Sequence, residues 1–178
     1  MSSGREVKDE VINTTLCYIK RNNEYLMLHR VKKENDLNHD KYIGIGGKFE
    51  KGESPEECLL REVKEETGLR LLSYVYRGII TFDSEGYETE YMHLFTSDRF
   101  EGELSQCDEG IPEWISMEKF LSLPRWEGDI LFMKLMETDR PFFSMKLSYK
   151  GDVLVYAALD GKTIYDPSEG IDDREYIH

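Results

Sequence analysis

With 178 residues, a hydrophobic fraction of 39% and aromatics at 12%, the chain is sized for one globular domain with a substantial core. Its formal charge of −13, with no basic stripe, argues against a nucleic-acid polymer or an acidic membrane surface as partner, while a small phosphate compound neutralised by a cation stays open. No apolar run reaches the roughly 18 residues of a membrane span, and Cys17, Cys58 and Cys107 make neither a close pair nor an even set, so a cytoplasmic chain with reduced thiols is expected.

Residues 1–10 are polar, lack a secretory apolar stretch and are expected to be a disordered N-terminus, with a single domain over residues 11–160. Residues 11–20 are rich in β-branched side chains, residues 25–30 are apolar, and turn residues lie between them, which predicts a hairpin. Arg30 leaves the end of that hairpin as a candidate contact to phosphate or base. Residues 31–41 are charged and irregular, a loop at the mouth of a cleft, and residues 42–47 form a short strand that runs into the next loop. His29 and His39 stand alone and have no catalytic partner in the sequence.

The stretch from Gly47 to Leu69, GKFEKGESPEECLLREVKEETGL, reads as a loop feeding a helix. Ser54 is a good N-cap, Pro55 suits the first helical position, Glu57 completes a capping box, and Gly68 stops the helix after Thr67. Leu59 and Val63, four apart, face a core. Glu62, Glu65 and Glu66 share one helix face, so their carboxylates are within reach of a common point. Alone, such a cluster is more simply a solvated acidic face; the glycines before it and Glu53, which can reach back to Arg61, favour a metal site. Hard oxygen ligands select Mg²⁺, with Mn²⁺ as the alternative. Lys48 is a candidate contact to phosphate, the alternative being a solvent-exposed lysine.

Beyond the helix, residues 71–82 and 89–97 predict a second hairpin across Asp83-Ser84-Glu85-Gly86. Residues 106–110 are an acidic loop before a short strand at 113–115. Ser116 caps a short helix, Pro124 ends it, and residues 127–138 return to a helical pattern. Trp126 offers a flat face for a purine, and Asp129 can present a carboxyl to the base edge; the simpler alternative is a core tryptophan followed by an early-helix charge. Residues 141–149 and 153–159 predict a last hairpin, and residues 161–178 an acidic C-terminal tail.

The helical stretch resembles the Nudix box, G-x5-E-x7-R-E-U-x-E-E-x-G-U with U aliphatic, at every position. The resemblance implies an α+β chain with the Nudix fold, a mixed sheet sandwiched between helices, and Mg²⁺-dependent hydrolysis of a nucleoside diphosphate linked to another group. It further implies metal ligation by the Gly46 carbonyl with Glu62, Glu65, Glu66 and Glu109, Glu62 or Glu109 as general base, and orientation by Arg61 and Glu53. Residues 26–30, 42–48, 78–82, 126–129 and 141–144 are similar to the MutT/MutX type. That similarity implies an oxidised purine nucleoside triphosphate such as 8-oxo-dGTP as substrate, contacted by Arg30, Lys48, Phe82, Trp126 and Asp129, with a role in sanitising the nucleotide pool. The alternatives are a pyrophosphatase of nucleotide sugars or dinucleoside polyphosphates, or a non-catalytic nucleotide sensor; a monomer or a homodimer is expected.

Overall fold

A computed structural model describes residues 10–177; the expectation for residues 1–10 therefore falls, apart from Glu10, outside the described residues. The elements in chain order are β1 (Val11–Arg21), β2 (Glu24–His29), β3 (Tyr42–Ile43), α1 (Pro55–Thr67), β4 (Arg70–Ser84), β5 (Thr89–Glu101) and β6 (Ile111–Ser116). They continue with α2 (Met117–Phe120), α3 (Asp129–Met136), β7 (Phe143–Lys150), β8 (Val153–Leu159), β9 (Lys162–Asp166) and β10 (Ile171–Asp172). The strands form one mixed sheet in the order β10-β9-β8-β7-β4-β5-β1-β2-β3, with β6 also on β2. β1 runs parallel to β5 and β4 parallel to β7, while the hairpin pairs are antiparallel.

β1 shows why the sheet is covered on both sides. Its middle is buried at every position from Thr14 to Ile19, and alternate residues belong to different cores. Cys17 and Ile19 pack with Leu59 and Val63 of α1, whereas Leu16 and Tyr18 pack with Phe120, Phe132 and Leu135 of α2 and α3. Each fully buried Leu or Val contributes about 1.5–3 kcal/mol from its apolar area, so α1 is held by its inward stripe and leaves its acidic residues for other work.

α1 begins and ends where its caps dictate. Ser54 Oγ accepts from the Glu57 amide at 3.1 Å, Pro55 occupies the first turn, and Gly68 at φ 79° donates its amide to the Lys64 carbonyl. Before the helix, residues 45–49 lie beside β1: the Cys17 and Thr15 amides donate to the Ile45 and Gly47 carbonyls, and the Phe49 amide to Asn13. This pairing brings the glycine loop against the sheet and under α1.

The C-terminal segment differs from the expected tail. After β8 the chain turns through Asp160 and Gly161, both at positive φ, and β9 pairs back on β8 from Leu159 opposite Lys162; β10 then pairs with β9. Asp-Gly is the dipeptide that a two-residue hairpin turn selects, and Thr163-Ile164-Tyr165 is a strand-forming run, so local turn chemistry outweighs the polar composition. Ile164 and Ile177 are buried, and Arg174 pairs with Asp172 and Glu127, fastening the segment to the loop before α3. No helix among the described residues is long and apolar enough to cross a membrane.

Candidate active site

The helix α1, the glycine loop and the loop before β6 meet at one end of a cleft of about 790 Å³. Arg61 is the hub there. Its Nε and Nη2 donate to the two oxygens of Glu53 at 2.7 and 2.8 Å, Nη1 donates to Glu62 Oε1 at 2.7 Å and Glu65 Oε2 at 3.2 Å, and Nη2 also reaches the Lys48 carbonyl. The expected reach of Glu53 back to Arg61 is therefore present as a bidentate pair. Arg61 holds the carboxyl of Glu53 down at about 2, and the Glu50 amide adds to that effect.

The two glycines act through close approach. A Cβ on Gly46 would lie 1.8 Å from the Thr15 carbonyl oxygen, and one on Gly47 would lie 2.5 Å from the Glu62 carboxyl carbon. Gly46 thus lets the loop pair with β1, and Gly47 makes room for Glu62. The Gly46 amide donates to Glu66 Oε2 at 2.9 Å, which fixes Glu66 in the loop from the helix side.

The acidic side chains of α1 do not converge as their shared helix face suggests. Glu62 turns to Arg61 and Gly47, Glu65 is 59% exposed and loosely held by Arg61, and Glu66 is 4% exposed. Among the described residues, no three His, Cys, Asp or Glu side chains form a closed metal cage. Arg61 gathers Glu62 and Glu65 on its own Nη1 while the Gly46 amide draws Glu66 into the loop beside Glu109, which is the physical reason for the difference.

What Glu66 lacks is a partner for its second oxygen. Oε1 is buried and meets no N–H or hydroxyl donor; it faces the Glu109 carboxyl, which can bond to it only when one of the two acids carries a proton. Burial together with Glu109 pushes Glu66 up to about 10. Burial also acts to raise Glu109, yet Glu66, Arg30 and Lys33 outweigh it and leave Glu109 below the ordinary carboxylate range. Burial likewise pushes Glu62 upward, against the pull of Arg61. A buried carboxylate oxygen without a donor, facing a second acid, fits a divalent cation as its missing partner.

Arg30 does not project freely into the cleft. Its Nε donates to Asp36 at 2.6 Å and its Nη1 to Glu109 at 2.9 Å, so it positions Glu109 as well as lining the cleft. Lys33 stands 3.6 Å from Glu109, and Lys32 donates to the Cys107 carbonyl. The charged loop at 31–41 is in this way tied to the acidic loop at 106–110. His29 stacks on Tyr42 and pairs with Asp40, and His39 meets the Lys33 carbonyl, so neither reaches the acids.

Trp126 and Asp129 close the opposite end of the same cleft, with Phe82, and Lys48 also lines it. Trp126 is only 3% exposed; its indole N–H donates to Asn38 Oδ1 at 2.7 Å, Phe82 meets it edge to face at 5.0 Å, and the Lys41 ammonium lies 4.4 Å from its ring centre. It is both a core residue and a wall of the cleft. Asp129, the first residue of α3, is 4% exposed, and burial pushes its carboxyl up to about 8 while Arg125 and Lys41 oppose the shift. Asn38, Asp36 and Glu90 also line the cleft and were not singled out from the sequence. Asn38 and Asp36 lie in an irregular loop without periodicity, and Glu90 begins a strand whose pairing alone turns it inward.

The NUDIX domain profile matches residues 12–136. The chain belongs to the Nudix family. It is 35% identical over 130 residues to the oxidized purine nucleoside triphosphate hydrolase of Danio rerio, an alignment that covers 72% of this chain and 83% of that protein. Among solved structures, the MutT protein of Bacillus halodurans superposes with a TM-score of 0.72 at 28% identity, covering 85% of this chain and 99% of that one. The MutT protein of Methanosarcina mazei gives a TM-score of 0.63 at 25% identity over 76% of this chain and all of that one. The α+β Nudix architecture and hydrolase class expected from the box are therefore those of this chain.

Proposed function

We propose that this Nudix hydrolase converts a nucleoside triphosphate with an oxidised purine, of the 8-oxo-dGTP kind, to the monophosphate and pyrophosphate, using Mg²⁺ or Mn²⁺. The observation that carries the reading is one continuous cleft with Arg61 and Glu62 of the box and Glu109 at one end and Trp126, Phe82 and Asp129 at the other. The likeness to a relative named as an oxidized purine nucleoside triphosphate hydrolase supports it.

Glu66 with Glu62, Glu109 and the Gly46 carbonyl would hold the divalent cation, and Glu65, which is exposed and paired with Arg61, would join from the solvent side. A cation bound there supplies Lewis-acid polarisation of the phosphate chain and neutralises its charge. Arg61, braced by Glu53, keeps Glu62 in place. Glu62 or Glu109 takes a proton as water attacks phosphorus; one bridging P–O bond breaks and pyrophosphate leaves. Lys48 offers a cation to the phosphates. Trp126 and Phe82 flank the base, and Asp129 addresses its edge.

The decisive measurement is kcat/KM over ordinary and oxidised purine triphosphates, sugar nucleotides and diadenosine polyphosphates, with and without Mg²⁺. We expect the oxidised purine triphosphates to be preferred and pyrophosphate to be released. A preference for a sugar nucleotide or a dinucleoside polyphosphate, or binding without turnover, overturns the assignment.

A further inference from the structure

One row of side chains crosses the floor of the cleft. Phe82 on β4 stands opposite Glu90 on β5, and Glu90 aligns with Ile12 on β1. Thr14, two residues along β1, donates from its hydroxyl to Glu90 Oε1 at 2.7 Å and itself stands opposite Lys48. Opposed residues share a sheet face, and all five line the cleft. Neighbouring strands lie about 4.8 Å apart, so the row runs roughly 14 Å from Phe82 to Lys48. Glu90 is one strand away from the aromatic end, where Phe82 meets Trp126, and two strands away from Lys48. A nucleotide laid with its base at the aromatics and its phosphates toward Lys48 and the box has its sugar over Glu90.

We propose that Glu90 is a specificity-determining residue whose carboxylate accepts a hydrogen bond from a hydroxyl of the substrate's sugar, so that nucleotides with a free 3′-hydroxyl are selected. The inference rests on the nucleotide reading given above. Thr14 takes Oε1 and so fixes the carboxylate, leaving Oε2 for a ligand. The neighbours on the same face, Ile12, Phe82 and Met92, are apolar, and packing alone gives no reason for an acid among them. Burial pushes the Glu90 carboxyl upward and Lys48 opposes it; an acceptor withdrawn from water gains more from a ligand hydroxyl than a solvated one does.

The test compares kcat/KM for 8-oxo-dGTP and dGTP with their 2′,3′-dideoxy counterparts, in the wild type, Glu90→Met and Thr14→Val, at saturating Mg²⁺. The wild type is expected to favour each hydroxyl-bearing form by about tenfold, the scale of one hydrogen bond to a charged group. Glu90→Met brings the ratio close to one by losing rate only on the hydroxyl-bearing forms, and Thr14→Val falls between. The wild-type comparison needs no variant, so a misfolded mutant does not remove the test. Equal turnover of the paired nucleotides by the wild type overturns the proposal, as does a Glu90→Met loss that follows the 8-oxo group instead of the sugar. If another nucleotide proves to be the fastest substrate, the same pairing is made on it: the function reading then fails while a 3′-hydroxyl preference sustains Glu90's role. A wild type that hydrolyses no nucleotide overturns both.

Discussion

The two ends of the cleft are built by different means. At the box end, Glu53, Arg61, Glu62, Glu65 and Glu66 come from one helix and the loop before it, and Arg61 ties Glu53, Glu62 and Glu65 together over 2.7–3.2 Å. At the base end, the Trp126 to Asn38 hydrogen bond joins residues 88 apart in the chain, and Phe82 and Glu90 arrive from two further strands. The first end is set by helical spacing and is polar throughout. The second is set by sheet register and is largely apolar, with a half-buried acid, Glu90, and a buried one, Asp129, in its walls. Damage at the first should fall on turnover, and damage at the second on choice of substrate.

The sharpest way to break that division is Glu66→Gln. The amide oxygen can still accept from Gly46, and its N–H₂ can donate to Glu109, so the fold is retained while an anionic donor is lost. We expect kcat to fall by about two to four decades with the melting temperature in metal-free buffer unchanged or higher. A variant that keeps more than about a tenth of wild-type kcat excludes direct ligation by Glu66.

Arg61→Ala should do less. It releases Glu53 and Glu62 without deleting any carboxylate, so activity is expected to drop roughly 10- to 100-fold, chiefly in kcat. A defect confined to KM and rescued by high Mg²⁺ would make the arginine a substrate contact instead. Separating these outcomes takes steady-state kinetics at two metal concentrations.

The same division governs what could be read in the sequence. The caps of α1, its inward Leu59 and Val63, and the Glu53 to Arg61 contact depend on spacings within one helix and its loop, and the structure places them where the spacing does. The first three hairpins were visible in their strand and turn residues, although β4 and β5 extend further, to Arg70 and Glu101, through bulges that no local pattern marks. What escaped needed either tertiary pairing or a signal outvoted by composition. Glu90 is one acid among many until β5 is laid against β4 and β1. The engagement of Arg30 with Glu109 joins residues 79 apart, and its bond to Asp36 lies within an irregular loop that no periodicity marks. β9 was announced by Asp160-Gly161, but the acidic run around it obscured the hairpin.

Asp129→Asn probes the base end and should have the smallest effect. Burial raises the carboxyl from 3.8 to about 8, so in the folded protein it stays protonated at neutral pH. A carboxyl whose folded pKa lies above its unfolded value contributes stability that is complete below about pH 4 and is lost as the pH rises through about 8. Asn cannot ionise, so the wild type should lose more melting temperature than the variant between those limits in metal-free buffer, as followed by thermal melts. The difference between the two proteins isolates Asp129 from groups such as Glu53, whose carboxyl is held at about 2 and acts in the opposite sense below pH 4. In turnover, Asn keeps a donor and an acceptor but fixes which is which, while the carboxyl can exchange a proton with the base. The ratio of kcat/KM for 8-oxo-dGTP to that for dGTP is therefore expected to fall by about tenfold or less, with the Mg²⁺ dependence unchanged. An equal loss on both nucleotides would show that Asp129 supports the wall beside Trp126 without reading the base, and the base end would then select by shape and by Glu90 alone.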